Sequence, residues 1–127
     1  MLFRSAGFQN QSHLPNYYYA ADALVVPSVK EPWGLVVNEA MAAGTPVIAS
    51  DCVGASYDLI EVGKTGYIFK SNDQESLAKT LVQFYETFAQ AGFSSDYIRS
   101  KVSAFNIGNS ASGFVEALRS IKNRNLF

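Results

Sequence analysis

The chain has 127 residues, of which 48% are hydrophobic and 17% are charged. This composition is that of one folded domain with a substantial core, and it excludes a disordered chain. The formal net charge is −1 and no basic run occurs, so nucleic acid is not expected as the main partner. No apolar run approaches the length of a membrane span. The single cysteine, Cys52, excludes a disulfide within the chain and fits a reducing compartment, so we expect a cytoplasmic location.

Apolar runs bounded by Gly or Pro alternate with segments of helical periodicity. The predicted strands are residues 1–8, 23–26, 47–49 and 66–69. The predicted helices are residues 13–21, 35–43, 56–62, 73–90, 95–105 and a last one from 109 or 110 onward. This alternation predicts an α/β fold with a parallel sheet of about four strands flanked by helices. In such sheets ligands bind beyond the carboxyl ends of the strands.

The segment EPWGLVVNEAMAAGTP, residues 31–46, is the most informative part of the sequence. Residues 35–43 are mostly good helix formers, and Gly44 stands where a helix end is expected. Because nearly every position is apolar, we expect this helix to be buried on most sides. On such a helix Glu39 is expected to be a buried carboxylate, which is costly without a partner. It has no Lys or Arg three or four residues away, so its partner must come from another segment, from water or from a ligand. Its two carboxylate oxygens suit a pair of adjacent hydroxyls such as a ribose diol.

Glu31 lies in the loop that leads into the same helix. Gly34 allows the backbone to approach a bound group closely. The first amides of the helix, at Gly34, Leu35 and Val36, lack intrahelical acceptors and carry the positive end of the helix dipole, which favours a phosphate. The loop and helix therefore offer two carboxylates for hydroxyls and several amides for negative charge, a combination that fits a nucleotide sugar.

The two glutamates and their surroundings resemble a known family. Glu31 and Glu39, with seven residues between them, are similar to the paired-glutamate motif of retaining glycosyltransferases of the GT-B fold, the group 1 family. Further segments resemble that family in the right order: ADALVVPS at 21–28, EAMAAGTPVIAS at 39–50 and GKTGYIF at 63–69. The resemblance implies a Rossmann-like domain, the C-terminal, donor-binding domain of such an enzyme.

The resemblance also implies roles for individual residues. In this family the first glutamate contacts the donor's sugar and the second holds the nucleotide ribose, which gives these roles to Glu31 and Glu39. The backbone of residues 34–36 would meet the sugar or the diphosphate, and Trp33, where the family often has Phe, joins the donor-binding residues. Glu31 is the candidate catalytic residue, as a group that positions the sugar and not as a nucleophile. Residues 54–58 depart from the family's usual second Gly and Glu.

No cofactor is expected beyond the donor itself. Asp, Glu, His and Cys nowhere gather with the spacing of metal ligands, so no metal is expected. The resemblance implies transfer of a hexose from a nucleoside diphosphate sugar to an acceptor, with retention of configuration. Neither Lys30 nor Lys64 falls at the position where the family has a phosphate-binding cation. The resemblance therefore implies that the leaving diphosphate is stabilised by the helix-end amides and by Arg and Lys residues upstream of this chain.

The number of strands predicts that residues 1–127 form one incomplete domain. A nucleotide-binding half of the GT-B fold has about six strands, and about four are predicted here. We therefore expect this chain to be a fragment of a longer enzyme, to lack the N-terminal acceptor-binding domain and to be inactive alone. Its open sheet edge could support self-association. The amphipathic C-terminal helices leave peripheral membrane association of the parent enzyme open, which would place it at the inner face of the membrane.

Two other classes of protein remain open. A non-catalytic nucleotide-sugar-binding module would bind the donor without transfer even with its partner domain. A nucleotide-sugar epimerase of similar fold would isomerise the donor with no acceptor present. Simpler interpretations of single residues also remain: Glu31 as an ordinary loop acid, Trp33 as a core residue, and the tyrosines at 17–19 as helix-packing residues.

Overall fold

A parallel three-stranded sheet with helices on both faces makes up the part of the chain that the computed structural model describes, residues 3–123. The strands, in the spatial order β1-β2-β3, are β1 Leu24–Val26, β2 Val47–Ser50 and β3 Gly66–Phe69. The helices are α1 Leu14–Ala20, α2 Leu35–Ala43, α3 Gly54–Leu59, α4 Gln74–Gln90, α5 Ser95–Ser103 and α6 Ile107–Asn123. The predicted α/β class with a helix-flanked parallel sheet is therefore confirmed.

The sheet has one strand fewer, within residues 3–123, than the four or so that the sequence predicts. Residues 3–8 are irregular, and residues 1 and 2 of that predicted strand lie outside the described residues. Phe3 and Phe8 are almost fully exposed. Apolar character alone does not make a strand, because the backbone also needs a hydrogen-bonded neighbour. Other ends shift slightly: the helix predicted at 56–62 begins at Gly54, and the last helix begins at Ile107.

Strand β2 is the centre of the fold and is buried along its whole length. Its side chains alternate between the two faces of the sheet. Val47 and Ala49 belong to a core cluster with residues of α2, α3 and α5, among them Val37, Met41, Leu59 and Ile98. Ile48 belongs to a second cluster with Phe69 of β3 and Phe84 of α4. The apolar run of β2 is thus explained by helices packed against both of its faces.

Helix α2 is buried on one side only, and the prediction of burial on most sides was wrong. Val37, Ala40 and Met41 are fully buried, whereas Leu35 is 69% exposed and Glu39 is exposed as well. The sheet and α5 cover one face of the helix, while the face that carries Glu39 opens onto a groove beside α1. An apolar composition does not distinguish residues that face a core from residues that line an open groove.

Arg99 of α5 holds the carboxyl end of α2 in place. Its Nη1 donates to the Ala43 carbonyl at 3.1 Å, and its Nη2 donates to Asp96 Oδ1 at 2.8 Å. A cation at this end complements the helix dipole. Gly44 ends the helix with a φ of 87°, and a side chain there would collide with the Arg99 guanidinium. The glycine is thus required by both its backbone conformation and its close contact with α5.

Glu61 joins α5 to the turn that precedes β3. The Tyr97 hydroxyl donates to Glu61 Oε2 at 2.6 Å, Lys64 donates to Oε1, and Lys101 Nζ lies 3.7 Å from Oε2. The hydrogen bonds from Lys64 and Tyr97 lower the pKa of Glu61 from its ordinary 4.5 to about 2. The ionised carboxylate is therefore a structural link between two segments.

None of the helices in residues 3–123 combines the length and the apolar character that a membrane crossing requires.

We predict that Glu61→Gln lowers thermal stability near neutral pH and that the difference from wild type fades in acid. Since the folded-state pKa is about 2 and the ordinary value is 4.5, the carboxylate stabilises the fold above its ordinary pKa. This stabilisation is lost as the pH falls towards the folded-state value. Melting temperatures measured across this range should therefore converge. Glu75→Gln, which removes an exposed charge paired with Lys79 in the first turn of α4, is the control and should change little. A difference in melting temperature between wild type and Glu61→Gln that does not change with pH would contradict this role of the ionised carboxylate.

Candidate functional site

The loop that follows β1 is bound to the loop that follows β2, and Glu31 lies at the junction. The Glu31 amide donates to the Cys52 carbonyl at 3.1 Å, and the Glu31 carbonyl accepts from the Gly54 amide at 3.0 Å. The Trp33 carbonyl accepts from the Ala55 amide at 2.8 Å. The backbone around Glu31 is therefore held at the carboxyl edge of the sheet, where parallel α/β folds bind ligands.

The Glu31 side chain is half-buried at this edge. Its carboxylate makes no hydrogen bond or ion pair with any group in residues 3–123. Lys64, one of the two nearby cations noted in the sequence, is instead bound to Glu61. The hydrogen-bonding capacity of the Glu31 carboxylate is thus not used within the described part of the fold.

The N-terminus of α2 directly follows this loop and is not capped by a side chain. Gly34 occupies the N-cap position with a φ of 94°, and a Cβ there would lie 2.9 Å from Val53 Cγ1. The first amide of the helix with a partner is that of Val37, which donates to the Gly34 carbonyl at 2.9 Å. In the described residues the amides of Leu35 and Val36 have no acceptor. Two donors and the positive end of the helix dipole therefore lie beside Glu31.

Glu39 lies one turn into α2, and its carboxylate is exposed, not buried as the sequence predicted. The Tyr18 hydroxyl of α1 donates to Glu39 Oε2 at 2.8 Å. The partner thus comes from another segment, one of the sources that the sequence analysis named. Burial, and then the hydrogen bond to Glu39, raise the pKa of Tyr18 to about 12. The phenol therefore remains protonated and acts as a donor to the carboxylate.

A groove of about 480 Å³ opens beside Glu39 between α1 and α2. Its lining residues are Gln11, Leu14, Pro15, Tyr18, Glu39, Ala42 and Ala43. Most of these side chains are apolar, and Gln11, Tyr18 and Glu39 supply polar atoms. A concave, largely apolar surface with a few polar groups is the usual form of a small-molecule site.

The structure places the Trp33 indole in internal contacts. Its Nε1 donates to Asn38 Oδ1 at 2.8 Å, and its ring lies 5.8 Å from that of Phe105. The indole also packs against the larger core cluster. The indole is therefore partly buried by contacts within the chain, and a role of Trp33 in donor binding stays a prediction. The loop backbone and Glu31 lie at the strand ends. Leu35 and Val36 are both exposed beside them.

Sequence reasoning missed Tyr18 and Gly54. The tyrosines at 17–19 were interpreted as helix packing, yet only the middle one reaches Glu39, across 21 residues of sequence. No local spacing indicates such a contact. Gly54 lies so close to the loop after β1 that a Cβ there would collide with the Pro32 carbonyl. A glycine directly after a predicted strand and turn is the one signal that could have suggested this close approach.

No group of three or more His, Cys, Asp or Glu side chains that could hold a metal ion occurs in the part of the chain that the structure describes.

The chain belongs to the family of glycosyl transferases group 1, because the model of that family matches residues 3–91. This range includes the sheet, α2, and both Glu31 and Glu39. The resemblance seen in the sequence is therefore confirmed at the level of the family.

Its relatives include D-inositol 3-phosphate glycosyltransferases and an uncharacterized glycosyltransferase. The D-inositol 3-phosphate glycosyltransferase of Corynebacterium urealyticum is 32% identical over 108 residues, which are 85% of this chain and 25% of that protein. The one of Streptomyces scabiei is 40% identical over 77 residues, 61% of this chain and 17% of that protein. The uncharacterized protein, from Methanocaldococcus jannaschii, is 43% identical over 72 residues, 57% and 18% of the two chains. This chain thus spans a quarter or less of these relatives.

Solved structures that share the fold include a synthase and a transferase. Sucrose-phosphate synthase from Thermosynechococcus elongatus superimposes with a TM-score of 0.76 at 35% identity, over 94% of this chain and 30% of that one. The apo form of a lipopolysaccharide outer core galactosyltransferase gives a TM-score of 0.73 at 23% identity, over 87% and 31% of the two chains, and shows likeness of fold alone. These structures are GT-B glycosyltransferases, which confirms the predicted fold class.

We predict that Gly54→Ala destabilises the chain by about 2 kcal/mol, because the added methyl group forces the Pro32 carbonyl and the loop bearing Glu31 to move. Urea unfolding measures the effect. Gly113→Ala is the control: beyond the backbone of its own helix and its chain neighbours, no atom lies within 4 Å of the position that a Cβ would take. In α6 the change should stabilise the helix by up to about 1 kcal/mol. Equal stability of Gly54→Ala and wild type would show that the two loops are not in close contact.

Proposed function

We propose that this chain is the nucleotide-sugar donor-binding part of a retaining glycosyltransferase, which transfers a hexose from a nucleoside diphosphate sugar to an acceptor. One observation supports this best. The uncapped N-terminus of α2 lies between Glu31 and Glu39 along the chain, and neither carboxylate pairs with a Lys or Arg in the described residues. A donor of this class has hydroxyls at both ends and phosphates between them, which is the order of groups that this element offers.

Each part of the donor has a proposed partner. The diphosphate accepts hydrogen bonds from the amides of Leu35 and Val36, where the helix dipole also favours negative charge. The ribose diol donates to Glu39, and the base enters the groove that adjoins this residue. Glu31 accepts hydrogen bonds from the sugar and positions it for transfer.

The proposed chemistry needs no group from this chain as a nucleophile. Negative charge grows on the diphosphate as the glycosidic bond breaks, and donors that are already oriented stabilise that charge. The helix-end amides beside Glu31 are such donors. Neither a metal nor any cofactor other than the donor has a proposed role here.

Membership in the group 1 family and the names of the relatives support sugar transfer as the reaction class. We propose that the acceptor is bound by a part of the enzyme outside this chain, since the chain spans 17% to 25% of the relatives named above.

We expect Glu31→Gln and Glu39→Gln to weaken binding in different ways. Glu39→Gln should lower the affinity for a nucleoside diphosphate and for its sugar conjugate alike, by about tenfold, because both contain the ribose. Glu31→Gln should lower the affinity for the sugar conjugate only, because the nucleoside diphosphate lacks the hexose. Isothermal titration with UDP, GDP and ADP, and with UDP-glucose, GDP-mannose and ADP-glucose, measures both effects.

Glu86→Gln, on the exposed face of α4, is the control for these two variants and should leave every dissociation constant unchanged. Wild-type affinities for both Glu31→Gln and Glu39→Gln would rule out the proposed site.

The 127-residue chain should bind a donor without transferring its sugar. Transfer requires an acceptor held against the reacting carbon, and we propose that this chain does not supply that part. An assay with radiolabelled donor and a panel of sugar and lipid acceptors measures turnover. Product formed by these residues alone would refute the expectation, while leaving the binding site itself in place.

A further inference from the structure

We propose that Tyr18 is a positioning residue whose hydroxyl holds the Glu39 carboxylate in the orientation that receives the ribose diol. The inference rests on the proposed function, which assigns the ribose to Glu39. It assigns a role in the proposed site to a residue of α1 whose hydroxyl contacts Glu39.

The contact between the two side chains is direct and selective. The Tyr18 hydroxyl lies 2.8 Å from Oε2 of Glu39, and Oε1 has no partner in residues 3–123. A carboxylate offers about four lone-pair positions, so one donated hydrogen bond leaves enough acceptors for two hydroxyls. Both residues line the groove beside α2. The hydroxyl therefore directs the carboxylate without using up its capacity to bind a diol.

Tyr18 is held in place at two points, so it is the fixed member of the pair. Its carbonyl accepts from Thr45 Oγ1 at 2.6 Å, and Thr45 is only 3% exposed in the turn between α2 and β2. Its ring is half-buried and packs against the larger core cluster. The neighbouring Tyr17 and Tyr19 are 47% and 79% exposed, and their hydroxyls donate no hydrogen bond within the described residues. Of the three consecutive tyrosines, only the anchored one reaches Glu39.

Glu39 needs such an anchor because its side chain is exposed. A glutamate on a helix surface samples several rotamers and loses this freedom when a ligand binds it. A donor that orders the carboxylate beforehand removes part of that loss, which appears as higher affinity. The raised pKa of Tyr18, about 12, keeps the phenol protonated, so the donor is present throughout the working range of pH.

The test compares Tyr18→Phe with Tyr19→Phe, a matched control one residue along the same helix. UDP, GDP and ADP are titrated calorimetrically into the 127-residue chain, and the tightest binder is then compared with its 2′,3′-dideoxy counterpart. Tyr18→Phe should lower the affinity for the ribonucleotide about fivefold and leave the affinity for the dideoxy nucleotide unchanged, since that nucleotide has no diol for Glu39. Tyr19→Phe should alter neither. Thermal unfolding of each variant verifies that it is folded.

Three results would overturn the inference: unchanged affinity of Tyr18→Phe for the ribonucleotide, tighter binding, or an equal loss for both nucleotides. The last would mean that Tyr18 acts only through the fold. Glu39→Gln distinguishes this failure from failure of the proposed function. If Glu39→Gln discriminates between the two nucleotides and Tyr18→Phe does not, only the role of Tyr18 is lost. If Glu39→Gln does not discriminate, or no nucleotide binds, the proposed ribose site fails and the inference fails with it.

Discussion

The backbone hydrogen bonds between the loops after β1 and β2 are the constraint on which the rest of the site depends. They join Glu31 to Cys52 and Gly54, and Trp33 to Ala55. They fix the direction in which the chain enters α2, and therefore where its uncapped amides and Glu31 lie. The loop after β2 can approach this closely because position 54 has no side chain. A parallel sheet brings the two loops to one edge, and these hydrogen bonds fix their positions relative to each other.

Glu31, Glu39 and Glu61 differ in how much of the hydrogen-bonding capacity of each carboxylate is already used within the fold. Glu61 is bound by Lys64 and Tyr97, with Lys101 nearby, and its low pKa follows from these partners. The Glu39 carboxylate receives one hydrogen bond from a neutral phenol, and the Glu31 carboxylate receives none in the described residues. A carboxylate neutralised by cations has little left to offer a ligand. Carboxylates left with open acceptor positions at a groove or a strand end are the ones that can bind hydroxyls.

Predictions from the sequence succeeded where local chemistry decides the outcome. Helix α2 has the bounds that were predicted, because its helix formers run without interruption to Gly44. Helix α4 ends at Gln90, as predicted, and begins directly after Asp73, whose side chain caps it by accepting from the Ser76 amide. The predicted strand at residues 1–8 was wrong over residues 3–8, because a strand depends on a neighbour that no local pattern supplies. The expected burial of Glu39 was also wrong, because the groove beside it is made by α1, an element distant in sequence.

Local propensity, periodicity and the order of short motifs were enough to predict the α/β class, helix α2 with Glu39, the preceding loop with Glu31, and the family. The contacts of each glutamate, in contrast, depend on tertiary packing. Packing of α1 against α2 brings Tyr18 to Glu39, and the pairing of two loops leaves Glu31 at the edge of the sheet. Tyr18 and Glu39 lie 21 positions apart in the sequence, and Glu31 pairs with Val53 in the loop after β2. The formation of these contacts depends on how helices and strands pack, which no short stretch of sequence encodes.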